Sequence, residues 1–132
     1  MKSSIFILIG GAIGASCRYL MNHALSFTEF PIWTISENLI GSLLLGILTG
    51  YVLIKSIPLH WQRGLGVGVC GGFTTMSTFV LDVVHLFQQQ TLFLIMIYLF
   101  TSLFGGLIFA FIGMALGKRM ASQQPKGATN YV

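Results

Sequence analysis

Four apolar runs divide the chain, Ile5–Leu25, Pro31–Ile54, Leu65–Leu86 and Leu92–Leu116, and only short polar links separate them. Each run is long enough to cross the hydrocarbon core of a bilayer as a helix, which takes roughly 20 residues. Polar and small positions inside the runs fall at four-residue steps, so each set shares one helix face: Gly10, Gly14 and Arg18 in the first, Thr34, Asn38 and Ser42 in the second, and Tyr98 and Ser102, extended by Gly106, in the fourth. The third run breaks this pattern. Gly71, Gly72, Thr74, Thr75, Ser77 and Thr78 fall within eight residues of "GGFTTMST", and glycine and β-branched threonine are poorer helix formers than leucine. Non-helical backbone at membrane depth persists only where protein or water satisfies its polar groups. The pattern therefore predicts a break in the third helix, and with it a site, because freed carbonyls can hold a cation and a freed helix N-terminus can face an anion. A continuous helix whose hydroxyls bond back to their own carbonyls is the alternative.

Composition agrees with the pattern. Of 132 residues, 55% are hydrophobic and 8% charged, and the mean hydropathy is +0.84. No water-soluble domain of this size carries such a balance. The expected fold is an all-α integral membrane protein, one domain over residues 1–132 with four transmembrane helices. Lys2 ahead of an apolar run, with small residues over Ala12–Ser16, has the look of a signal peptide. The apolar pattern resumes past Arg18, however, and favours a retained span. Cys17 and Cys70 lie inside spans and read as packing residues, and His23, His60 and His85 have no ligand spacing. Nothing in this set forms a catalytic constellation, so no enzyme activity is expected.

Charge placement sets the expected orientation. Lys2, Lys55, Arg63, Lys118, Arg119 and Lys126 all fall on the side shared by both termini and the second loop, and Arg18 alone lies toward the other. By the positive-inside rule both termini are cytoplasmic. The ends "MKSS" and "KRMASQQPKGATNYV" are polar and expected to fray. Glycines recur at packing intervals at Gly46 and Gly50, at Gly64, Gly68 and Gly72, and at Gly113 and Gly117, the small-residue spacing that lets membrane helices approach closely. Four short helices enclose little interior, so an oligomer is expected.

The polar positions have two readings each. Arg18 either snorkels to headgroups or faces an aqueous vestibule, where a guanidinium attracts anions. Asn38 is either helix-to-helix glue or the lining of a file of water and ions. Helical spacing places Met76 and Phe79 on one face; the edge of a ring is partly positive and can meet an anion, while ordinary packing is the plainer use of a phenylalanine.

These motifs together resemble the CrcB/Fluc family of fluoride channels over nearly the whole chain. "GGAIGASCRY" in the first span, "TISENLIGSLLLG" in the second and "GVGVCGGFTTMSTFVLD" in the third match three ordered family signatures. The resemblance implies a passive fluoride channel of the cell's inner membrane that relieves fluoride toxicity, built as an antiparallel, dual-topology homodimer with two pores along its interface. It further implies that Arg18 stands in the vestibule and Asn38 at the pore, that Met76 and Phe79 occupy the family's two phenylalanine positions, and that Ser77, Thr78, Tyr98 and Ser102 form a polar track. The backbone carbonyls of Gly71 and Thr74 correspond to those that hold a structural sodium ion at the dimer centre.

Departures from the family pattern are equally specific. Met76 stands in place of a phenylalanine, Asp82 in place of a glutamate, and Gly66 and Val67 weaken the start of the third motif. Glu37 occupies a position that is usually apolar; it either pairs with Arg18 or snorkels to the interface. The one-sided Lys and Arg distribution conflicts with insertion in both orientations, which raises the alternative of a heterodimer with an inverted partner chain. A proton-coupled multidrug exporter using Glu37, and a non-transporting membrane subunit, are the competing functions.

Overall fold

The computed structural model describes residues 1–25, 30–89 and 92–123. Among them all regular structure is helical, and four helices are long and apolar enough to cross a membrane. Helix α1 spans Lys2–Leu25 and α2 spans Ile32–Ile54. The third span is divided into α3 (59–73) and α4 (Ser77–Gln89), and α5 spans Leu92–Gln123. Pro31 and Pro58 stand directly before α2 and α3, where a fixed φ and a missing N–H suit a helix start.

Helix α3 is itself composite. A short α-helical stretch over Leu59–Arg63 widens into π-helical turns over Gly64–Cys70 and closes with one α turn over Gly71–Phe73. Three glycines, Gly64, Gly66 and Gly68, carry no side chain into the widened turns.

The helices associate as two parallel pairs. In the first, Gly10 lies against the backbone of Gly64 and Gly68, Gly14 against that of Val69 and Phe73, and Gly72 against Gly11, so α1 and α3 touch main chain to main chain. In the second, Gly46 and Gly50 lie against Ala110 and Met114, while Gly113 and Gly117 lie against Leu43 and Ile47. Both pairs use the small-residue contact that replaces hydrophobic burial as a source of helix association in lipid. Contacts between the pairs are fewer, and the break in the third span falls at this seam.

Large apolar side chains cover much of the outer surface, with Leu8, Leu20, Phe87, Phe100, Leu103 and Phe111 exposed. The chain is a multi-pass membrane protein. A groove of about 450 Å³ between α2 and α3 is lined by Leu45, Leu48, Val52, Gly66 and Val67 among others.

Helical structure extends further at the ends than the polar composition suggested. Ser3 and Ser4 already belong to α1, and α5 continues through Lys118 and Arg119 to Gln123, where Ser122 Oγ donates to Lys118 O at 2.9 Å. Lys126 and the last residues of the chain lie outside the described residues.

Candidate functional site at the helix break

The break begins at Thr74, whose φ of −75° and ψ of 158° are extended. Its N–H and its Oγ1 both donate to Cys70 O, each at 3.0 Å, and end α3. The chain resumes as a helix at Ser77, and Val80 N donates to Met76 O at 3.0 Å.

Asn38 holds the gap open. Its Nδ2 donates to Thr75 O at 3.1 Å, and its Oδ1 accepts from Thr75 N at 2.9 Å. One side-chain amide thus satisfies both backbone groups of Thr75, as a neighbouring strand would. The Thr75 N–H that would otherwise close a helical turn onto Gly71 O is engaged by Asn38 instead. Gly71 lies exposed on the surface of the chain, and a side chain there would approach nothing closer than Gly66 O at 3.8 Å.

The threonine side chains organise the start of α4. Thr75 Oγ1 accepts from Thr78 N at 3.2 Å, an N-cap for this helix, and donates to Thr78 Oγ1 at 3.0 Å. Ser77 Oγ lies 3.4 Å from the same hydroxyl. On the opposite side of the break, Arg18 Nη1 donates to Thr74 O at 3.4 Å. The Gly10, Gly14 and Arg18 stripe therefore runs along α3 and ends on the break rather than at headgroups.

A second polar cluster lies one to two turns along α4. Asp82 Oδ2 accepts from Thr34 Oγ1 at 2.6 Å and from Tyr98 OH at 3.0 Å, joining α2, α4 and α5. Tyr98 is fully buried. Its ring stacks on Phe79 with centroids 5.2 Å apart and 23° between planes, and Phe30 meets it edge-on at 6.0 Å. Stacking covers one face of the Phe79 ring. Ser102 Oγ is buried with no hydrogen-bond partner among the described residues.

The residues singled out in the sequence do not all converge. Asn38, Thr74, Ser77 and Thr78 gather at the break, and Phe79 and Tyr98 stack beside it. Thr34, Asn38 and Ser42 line one inward side of α2 but meet different partners: Thr34 reaches Asp82, Asn38 reaches Thr75, and Ser42 Oγ lies near Gly106 of α5. Met76 and Phe79 do not share a face, because Met76 precedes the first turn of α4 and is 70% exposed, whereas Phe79 packs inward on Tyr98. Helical spacing does not hold across a break.

Glu37 departs from both expectations. It is fully buried at 0% exposure, which rules out snorkelling, and neither carboxylate oxygen has a hydrogen-bond partner among the described residues. Arg18 and Asp82 are within electrostatic reach of it.

Sequence reasoning passed over Thr75, the hub of the break, and over the convergence of Thr34, Asp82 and Tyr98. The Thr75-x-x-Thr78 spacing was a signal for the first, since a hydroxyl residue three positions ahead of a helical N–H is a cap. Among the described residues no group of His, Cys, Asp and Glu could hold a metal ion. The break offers carbonyl oxygens instead: Thr74 O is outside the helical ladder and already accepts from a cation, and Gly71 O has lost its α-helical donor.

Comparison with known proteins adds to this geometry. A protein of Bacillus subtilis named fluoride-specific ion channel FluC 2 is 48% identical over 128 residues, covering 96% of this chain and 97% of that protein. One of the same name from Halalkalibacterium halodurans is 45% identical over 127 residues, 96% of this chain and 93% of that one. A Staphylococcus aureus protein named fluoride-specific ion channel FluC 1 is 35% identical over 115 residues, 86% and 94% of the two chains. The family described as CrcB-like protein, Camphor Resistance (CrcB), matches residues 5–114. With that match over most of its length and relatives aligned nearly end to end, the chain belongs to the CrcB-like family.

Proposed function

We propose that this protein is a fluoride-selective channel of the inner membrane that lets fluoride leave the cell passively and so protects it from fluoride toxicity. The observation that carries this reading is the helix break held by Asn38, set beside the Phe79 ring and a buried hydroxyl without a partner among the described residues, in a chain whose relatives are named as fluoride-specific channels.

Fluoride is small and strongly hydrated, so a pore must replace its water with hydrogen-bond donors and positive ring edges. Arg18 attracts the anion at the entrance. Asn38 retains one amide hydrogen beyond the one given to Thr75 O. Ser77, Thr78 and the unpartnered Ser102 offer hydroxyls, and Tyr98 positions the Phe79 ring between them. Met76, exposed on the subunit surface, takes the place of a second ring and contacts the pore from a partner-facing position.

The functional unit in this reading is an antiparallel dimer, whose two breaks bring Gly71 and Thr74 carbonyls from both copies to one central sodium ion. When bound, that ion supplies a fixed positive charge between the two paths. A specific observation favours a second version, a heterodimer: the Lys and Arg bias opposes dual insertion of one sequence, and relatives of this chain carry the numbers 1 and 2. The relatives are named as channels, neither exporters nor enzymes, which weighs against a proton-coupled exporter using Glu37.

Flux from liposomes containing the purified chain tests both points. Fast electrogenic fluoride release that excludes chloride is expected. Absence of flux from any preparation sinks the channel reading, and flux that appears only on co-expression with a second chain removes the homodimer.

A further inference from the structure

Glu37 is the one group at the break that the channel reading leaves without a task. A carboxylate enclosed in a membrane helix bundle costs several kcal/mol unless an opposite charge compensates it. Glu37 is wholly buried, and its two oxygens accept no hydrogen bond among the described residues. It lies one helical turn before Gly41, whose missing side chain makes room for the Thr74 methyl, so it belongs to the layer of α2 that packs on the break. The opposite charge at this layer is Arg18 of α1, which reaches Thr74 O, while Asp82 of α4 is already tied to Thr34 and Tyr98.

Arg18 spends its charge elsewhere in this conformation. Its Nη1 donates to Thr74 O across 3.4 Å, at the long edge of a hydrogen bond. That oxygen is the same carbonyl that the proposed cation site uses, and a guanidinium and a metal cation beside one oxygen repel each other. A buried carboxylate without a donor and a guanidinium on a weak acceptor are complementary, and both belong to the layer that meets Thr74.

We propose that Arg18 exchanges between two acceptors, the Thr74 carbonyl and the Glu37 carboxylate, and that Glu37 is a positioning residue which draws the guanidinium off Thr74 O when a cation binds there. This rests on the reading of Gly71 and Thr74 as a cation site. Cation binding at the break and the Arg18–Glu37 pair are then two sides of one equilibrium, each favouring the other. Removal of the Glu37 charge leaves Arg18 on Thr74 O and weakens the cation site; removal of the Arg18 charge strengthens it.

Thermal unfolding of the purified full chain in detergent, titrated with sodium chloride against N-methyl-D-glucamine chloride, reads cation binding without reference to flux, because a ligand that binds the folded state raises Tm. The expected sodium midpoint of Glu37→Gln is about tenfold above that of the unmodified protein. Arg18→Gln alone moves the midpoint below it, and the double variant matches Arg18→Gln, because Glu37 acts only through the guanidinium. An unchanged midpoint in both single variants overturns the exchange while leaving the cation site standing. A shift in Glu37→Gln that Arg18→Gln does not reverse also overturns it, since a merely structural role for Glu37 gives that result. If Glu37→Gln does not fold, the Arg18→Gln midpoint decides alone. A Tm of the unmodified protein that ignores sodium, in a preparation that still conducts fluoride, removes the cation site and the exchange together without touching the channel reading.

Discussion

Asn38 does for Thr75 what a β-strand does for its neighbour: it returns a donor and an acceptor to a backbone that has left its helix. Truncation to alanine strands both groups in a membrane interior, where an unsatisfied buried polar group costs about 1–3 kcal/mol. Asn38→Ala is therefore expected to lower Tm in detergent by several degrees and to abolish fluoride flux, whereas equal loss of both in Asn38→Asp would point to the donor, Nδ2, as the half that matters. Phe79 and Met76 separate more sharply at this scale. Phe79→Ile removes the ring edge while its stacking partner Tyr98 keeps its hydrogen bond to Asp82, so flux is expected to vanish with the protein still folded; unchanged flux would take the ring off the ion path. Met76 is exposed and packs on nothing that a larger group would displace in its own chain, so Met76→Phe is expected to keep or raise the flux measured in liposomes.

The glycine stripes make opposite predictions for neighbours in sequence. A methyl group on Gly14 would run into the main chain of Val69 and Phe73, and one on Gly113 into that of Leu43 and Ile47, where nothing can yield without parting the helices. Gly14→Ala and Gly113→Ala are each expected to destabilise by about 1–3 kcal/mol, seen as a lower Tm and loss of a monodisperse peak. Gly11→Ala, whose new methyl meets nothing within 4 Å in the chain, is the matched control and is expected to be neutral within about 0.5 kcal/mol. At this scale most of the fold is legible in the sequence. Four spans and the small-residue stripes follow from spacing, because helix geometry converts sequence distance into a face, and the interruption within Gly71–Thr78 follows from its cluster of poor helix formers. The details of the break are not legible for the same reason. Once Thr74 turns extended, spacing ceases to report direction, which is why Met76 and Phe79 part company and why Thr75 emerges as the hub. The Thr34, Asp82 and Tyr98 cluster joins three helices through contacts far apart in sequence, and no local pattern announces such a meeting. Glu37 is visible as an oddity in the sequence, yet its complete enclosure depends on what α2 packs against.

Across the whole molecule, the parts of the proposed ion path are shared between the two parallel helix pairs. Arg18 and the break belong to the α1 and α3 side, with α4 leading away from it, while Asn38, Tyr98 and Ser102 belong to α2 and α5. Pairing of α2 with α5 also has a consequence in time. The second span enters the membrane early, but its partner is the fourth of the described spans, so the α2–α5 pair cannot form until the three spans before α5 have been made. A chain ending after α4 carries Arg18, Asn38, Thr74 and Phe79 and is nevertheless expected to lack a folded site, degrading in pulse-chase labelling where the full chain persists. During the interval before α5 arrives, Gly46 and Gly50 of α2 lack the backbone they pack against and the Thr34–Asp82 pair lacks the Tyr98 hydroxyl, which leaves the nascent protein open to quality-control proteolysis.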